Sequence, residues 1–150
     1  MPSPKKIDLT PVGIVKNDIN ESGKRDWEDV VSEIVINEEY EQALDQIEGF
    51  SHITVIFWFN QTSPSKRSIL KVHPKGNKDL PLVGVFATRS PARPNLIGVT
   101  TVKLLDHCKN VLKVIGLDAR DGTPVLDIKP YIPTRDSLAE ARTPAWITKS

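Results

Sequence analysis

The amino-acid sequence predicts a mainly β fold: a small closed antiparallel β-barrel with one short helix and no Rossmann core. Three observations predict it. Runs of β-branched and aromatic residues recur along the chain, each bounded by Pro, Gly, Asn or Asp. A single segment spaces its apolar residues at helical intervals, too few for repeated βαβ units, so the strands should pair antiparallel through short connections. The eight glycines never form GxG, which removes the phosphate-binding turn of a dinucleotide fold and the glycine-rich loop of a common class of methyltransferases. Closure into a barrel is the arrangement that leaves no strand edge exposed.

Taken in order, residues 9–16 (LTPVGIVK) read as a first strand, with Pro11 near its start, where a missing N–H is tolerated. Residues 17–30 mix Asn, Asp, Gly and both charges and read as a long loop, and residues 32–37 as a short strand. Tyr40, Ala43, Leu44 and Ile47 then fall at helical spacing, with Asn37 placed to cap the start and Gly49 to end the turn. Six β segments follow at 52–59, 68–72, 82–88, 97–105, 111–117 and 125–129. Trp58 and Phe59 alternate across their strand, and Trp58 is assigned to the core. The tail from 134 to 150 is polar until Trp146, which can anchor it.

With 150 residues, a single domain spanning 1–150 is expected, its barrel core at about 9–133. Hydrophobic residues at 39% and charged ones at 26% match a folded globular chain and exclude wholesale disorder. The longest apolar run, 53–59, is far short of the ~20 residues a membrane helix needs, so no membrane is expected. The start, MPSPKKIDLTP, has two lysines and no apolar segment behind them, which points to a cytoplasmic protein. Cys108 is the sole cysteine, and His52, His73 and His107 lack metal-ligand spacing, so neither a disulfide nor a metal is expected. Phosphate-loop and GxSxG signatures are absent as well. A net charge of +1 means that any nucleic acid would have to be met by a local basic patch.

Three segments carry chemistry. In residues 84–100 (GVFATRSPARPNLIGVT), Pro91 and Pro94 stiffen an arm that bears Arg89, Arg93 and Asn95. Its arginines can offer planar forks to a phosphate, carboxylate or nucleobase edge, or they can bond loop carbonyls and brace a structural corner. Residues 116–133 (GLDARDGTPVLDIKPYIP) place Asp118, Arg120, Asp121 and Asp127 close together, with Asp121 and Gly122 forming a hairpin turn and Thr123 bonding locally. Carboxylates and aromatic faces suit a sulfonium cation or an adenine ring. Residues 64–81 carry Lys66, Arg67, Lys71, Lys75 and Lys78 against one acid, Asp79, a surface that could follow a nucleic-acid backbone or simply be solvated.

Together PVGIVKN, GFSH, GVFATRSPARPN and DGTPVLDIKPY resemble the TsaA-like family, the domain of the TrmO (YaeB-type) tRNA methyltransferases, from about Pro11 to Pro133. The resemblance implies a small barrel that binds S-adenosylmethionine, works as a homodimer with the cofactor near the subunit interface, and methylates the exocyclic nitrogen of threonylcarbamoyladenosine beside a tRNA anticodon. Carried over by motif, Asn60, Gln61, Arg89, Asp121, Gly122, Thr123 and Pro124 would hold the cofactor. Arg93, Asn95, Lys129 and Tyr131 would meet substrate or shape the pocket, Lys66 and Arg67 would touch RNA, and Arg89 and Asp121 are the catalytic candidates. Two departures stand out. Asn60 occupies a position where the family commonly has His, and ESGKRDWED replaces a Pro-Arg-Gln type segment, with Gly23, Lys24 and Arg25 as its counterpart. Alternatives of other kinds are methylation of another acceptor and a non-catalytic module that binds an adenosine ligand or RNA.

Overall fold

The structure, a computed structural model, describes residues 5–20 and 26–149. Gly23, Lys24 and Arg25 lie outside the described residues. Six strands close the barrel: β1 (Gly13–Lys16), β2 (Val31–Ile36), β3 (His52–Trp58), β6 (Ile97–Cys108), β7 (Val111–Ile115) and β8 (Pro124–Pro130). Two short strands, β4 (Lys71–Val72) and β5 (Val83–Gly84), pair in a separate ribbon. Around the barrel the order is β1-β2-β7-β6-β3-β8, every pair antiparallel, with β8 returning to β1. No helix among the described residues is long and apolar enough to cross a membrane.

Period-two alternation fills the barrel. On β3, Ile53, Val55 and Phe57 point inward and are buried, and they meet Val15, Ile34, Val102, Leu112, Val114 and Val125 from the other strands. This parity corrects the assignment of Trp58 to the core. Once Ile53 and Val55 face inward, residue 57 must follow them and residue 58 must face out, and Trp58 is 44% exposed.

Further expectations are revised. The segment at 38–49 is helical, but as two 3-10 turns rather than one helix, Glu38–Leu44 and Ile47–Gly49, separated at Gln46, whose φ is 73°. Its apolar positions fit three residues per turn as well as 3.6, and a span this short favours the tighter form. Tyr40, Leu44 and Ile47 still pack on the core, whereas Asn37 forms no cap and donates its side-chain amide to the Pro11 carbonyl at 3.2 Å. The strand expected at 82–88 contracts to β5, because Val85–Ala87 curls into a 3-10 turn, and the one at 68–72 contracts to β4. The turn at Asp121 and Gly122 does not make a hairpin: it joins β7 to β8, which are not neighbours, so residues 116–123 cross the barrel end instead.

β6 runs three residues beyond its expected end because Lys109, at φ 55°, and Asn110 suffice to reverse the chain into β7. His107 anchors this corner. Its Nδ1 lies 2.9 Å from the Glu48 carboxylate and its Nε2 2.8 Å from the Lys109 carbonyl. Both partners accept, so only the imidazolium can donate to both. The Glu48 hydrogen bond raises the His107 pKa above its ordinary 6.5, and the same bond lowers Glu48 below its ordinary 4.5. The pair therefore contributes fully between those two ordinary values. Its contribution fades as pH rises through the raised His107 pKa, and as pH falls through the lowered Glu48 pKa. Thermal melts of His107→Gln and the parent protein should separate near pH 6 and draw together as pH rises through the raised His107 pKa; a pH-independent gap would refute the assignment.

Candidate active site

The arm at 88–95 is folded by its own polar groups. The Thr88 hydroxyl donates to the Val85 carbonyl at 2.8 Å, the Ser90 N–H to the Thr88 hydroxyl at 3.2 Å, and the Ala92 N–H to the Ser90 hydroxyl at 3.1 Å. These are the local side-chain-to-backbone bonds that Ser and Thr form in turns. Arg93 closes the loop by donating Nη1 to the carbonyls of Thr88 (3.2 Å) and Ser90 (3.0 Å). From outside, Arg67 donates Nε to the Pro94 carbonyl at 2.6 Å and Nη2 to the Asn95 side-chain oxygen at 3.2 Å. Arg67, Arg93 and Asn95 thus brace the arm. Arg89 is exposed and makes no hydrogen bond or ion pair with any described residue, so its fork stays open to a ligand.

Two cavities flank this arm and share Pro91 and Asp118 as a common wall. The larger, about 1150 Å³, is lined by Arg89 and Ser90 of the arm, by Lys71, His73, Lys75 and Lys78 from the ribbon region, and by Leu82, Phe86 and Trp146. Asp118 is the one acid among its described lining residues, so the potential there is positive. The smaller, about 200 Å³, is lined by Trp27, Phe57 and Phe59, by Asn60 and Gln61, and by Asp118, Arg120 and Thr123. Its lining combines aromatic rings with side-chain amides.

The crossing segment explains why Asp118 sits at the shared wall. Residues 117–120 alternate, with Leu117 and Ala119 buried in the core and Asp118 and Arg120 turned toward the smaller cavity. The Thr100 hydroxyl donates to the Asp118 carboxylate and holds it. Asp118 is absent from the residues expected to act; its signal was the cluster of carboxylates in GLDARDG, which does not say which one faces the cleft.

Asp121 has another task. One of its carboxylate oxygens accepts the Asn17 N–H at 2.9 Å, and its own N–H donates to the Ile19 carbonyl at 2.8 Å. Gly122, at φ 84°, takes the left-handed position of the turn, and its N–H reaches the Val15 carbonyl at 2.8 Å. The Thr123 hydroxyl closes the same turn on the Arg120 carbonyl at 2.6 Å. Asn17 ties the turn to the barrel, donating its side-chain amide to the buried Ser32 hydroxyl (3.0 Å) and the Ala119 carbonyl (2.9 Å). Sequence reading passed over Asn17, although it is the last residue of PVGIVKN.

Of the expected cofactor residues, Asn60, Gln61 and Thr123 line the smaller cavity and Arg89 the larger. Asp121, Gly122 and Pro124 line neither and instead shape the turn behind them. Lys129 and Tyr131 lie toward the other end of β8: Lys129 is five residues beyond Pro124, about 17 Å in strand geometry. There Lys129 pairs with Asp127 at 3.0 Å, and the Tyr131 ring meets His52 edge-on at 6.4 Å. Within one chain they do not join the cleft. Lys66 is exposed but lines neither cavity.

Barrel and cleft together define a small β-barrel protein whose braced arginine arm stands between an aromatic-and-amide cavity and a cationic one. The chain belongs to the tRNA-methyltransferase O N-terminal domain family, whose model matches residues 17–137. It is 44% identical to a probable S-adenosyl-L-methionine-binding protein of Methanothermobacter thermautotrophicus, over 91% of this chain and 98% of the relative. To the S-adenosyl-L-methionine-binding protein of Archaeoglobus fulgidus it is 45% identical, over 87% of this chain and 93% of the relative. The crystal structure of TrmO from Pseudomonas aeruginosa superposes with a TM-score of 0.75 at 30% identity, covering 94% of this chain. The chain spans 63% of that larger TrmO chain.

Proposed function

We propose that the protein is an S-adenosylmethionine-dependent tRNA methyltransferase acting on the exocyclic amino nitrogen of threonylcarbamoyladenosine beside the anticodon. The observation that carries this reading is the open Arg89 fork, held by a braced arm against the wall that the two cavities share. The smaller cavity, about 200 Å³, falls below the roughly 300–1,000 Å³ of most ligand sites, so the cofactor would lie across that wall.

The side chains present fit such a group. Arg89 suits its carboxylate, Asp118 its positive charge, and the Asn60 and Gln61 amides beside Phe59 and Trp27 an adenine ring. When bound, the cofactor supplies an already activated methyl group. What the chain adds is alignment: a stiff arm and a cross-braced turn hold the acceptor nitrogen and its reaction partner in register, which can replace much of the entropic barrier. Asp118, rather than Asp121, is the carboxylate placed to take the proton the nitrogen loses, because it lines both cavities while Asp121 lines neither. The reading includes a cytoplasmic homodimer. Ile56, Trp58, Ile97 and Val99 lie on the outward face of paired β3 and β6 and form an apolar strip available to a second copy.

Calorimetric titration with S-adenosylmethionine should give saturable binding. Nucleoside mass spectrometry after incubation with labelled cofactor and modified tRNA should place the label in the threonylcarbamoyl nucleoside. Label in another nucleoside would favour a different acceptor. No binding by folded protein, with or without tRNA, would overturn the enzyme reading in favour of a non-catalytic ligand- or RNA-binding module.

A further inference from the structure

Phe86 is out of place for a folded protein's own needs. It sits on the 3-10 turn Val85–Ala87, which buries Val85 yet leaves Phe86 80% exposed. Nor is this a loose loop tip. The Thr88 N–H and hydroxyl both return to the Val85 carbonyl, at 3.1 and 2.8 Å, and the Val85 N–H bonds the Leu70 carbonyl at 2.9 Å. The fold therefore fixes the backbone that carries a large apolar ring into water, on the wall of the cationic cavity that also carries Arg89, Lys71 and Lys78. Leaving such a ring exposed forgoes the burial that usually stabilises a phenylalanine. An exposed aromatic ring on a fixed backbone among cations is the arrangement that single-stranded nucleic acid recognises, with a base on the ring face and phosphates on the basic side chains.

We propose that the groove between the β4–β5 ribbon and residues 143–147 is a single-stranded RNA track. In it Phe86 stacks on an unpaired base, and Lys71 and Lys78 contact the flanking phosphates. The inference rests on the reading that the acceptor is RNA, and it adds where the strand runs and what grips it. A cavity of about 1150 Å³ exceeds the usual volume for one small molecule, as a site for nucleotides beside a cofactor should. Its charge is complementary to RNA although the whole chain carries only +1.

The test is fluorescence anisotropy of a labelled eight-nucleotide single-stranded RNA titrated with the full chain at several salt concentrations, with calorimetric S-adenosylmethionine binding measured in parallel. Phe86→Ala should weaken RNA binding about tenfold, by loss of one stacked base, with the salt slope unchanged. Phe86→Trp should retain affinity and show indole quenching on RNA addition beyond that of the parent protein, whose Trp146 lines the same groove, and a merely structural residue would not produce that excess. The double variant Lys71→Gln, Lys78→Gln should flatten the log–log salt slope by about 1.4, since each contacted phosphate of a single strand contributes about 0.7. Phe86→Ala binding RNA like the parent, an unchanged slope in the double variant, or no RNA binding by the parent would each overturn the track. If Phe86→Ala instead converts a dimer to a monomer with RNA affinity intact, the ring belongs to a self-association surface and the proposal fails. A parent protein that binds cofactor but no RNA overturns the track and leaves the cofactor site standing; a parent protein that binds RNA but no cofactor leaves the track and removes the enzyme reading.

Discussion

Arg89→Ala should bind S-adenosylmethionine about 10- to 100-fold more weakly and lose methyl transfer in parallel, while melting within about 2 °C of the parent protein. The size follows from hydrogen bonds to a charged group, worth about 1.5–3 kcal/mol. Unchanged stability follows from the structure: Arg89 is exposed and unbonded to described residues, and such surface substitutions stay within about 0.5 kcal/mol. Arg93→Ala supplies the contrast. It strips the donor from the Thr88 and Ser90 carbonyls and should lower the melting temperature by several degrees, at about 1–2 kcal/mol. Calorimetry and thermal denaturation on both variants would check this; an Arg89→Ala protein with parental affinity and turnover would remove Arg89 from the site.

Gly98→Ala is expected to destabilise the protein by about 2 kcal/mol and to weaken ligand binding at the smaller cavity. Gly98 stands directly opposite Phe57 in the β3–β6 register. A Cβ there would lie 2.7 Å from the Phe59 ring and 2.8 Å from the Phe57 ring, inside the contact distance of real atoms. The two rings pack edge to face with centroids 5.3 Å apart, so neither can turn aside without the other. Both line the smaller cavity, and the displaced atoms would intrude on it. Thermal melts and cofactor titration measure the two consequences separately. A variant that melts like the parent would show that the rings have room to yield.

How much of this was legible beforehand depended on whether the signal was local. Alternating Val and Ile between Pro, Gly and Asn marks strands wherever it occurs, so all six barrel strands were foreseen, with ends shifted by a few residues. The segment around Tyr40, Leu44 and Ile47 was legible as helical, but not as two 3-10 turns, because a period of three and one of 3.6 are indistinguishable over so few residues. Trp58 was misplaced because parity along a strand is set by the partners that close the core, not by the size of one side chain. The arm showed its three hydrogen-bonding residues plainly, but not their division of labour. Whether an arginine grips its own loop or a ligand depends on which carbonyls the chain brings within reach, and those of Thr88, Ser90 and Pro94 come within reach of Arg93 and Arg67 only after folding.

The sequence by itself determined a closed antiparallel β-barrel, an arginine-bearing arm stiffened by Pro91 and Pro94, and a glycine turn at Gly122, because each depends on backbone preferences of neighbouring residues. Tertiary structure decided the rest: that residues 116–123 cross the barrel end instead of forming a hairpin, that Asp118 rather than Asp121 reaches the cleft, and that Arg89 stays open while Arg67 and Arg93 are engaged. The physical reason is the same in each case. A side chain's chemistry is local, but its partner is whatever the closing barrel places within about 3 Å of it.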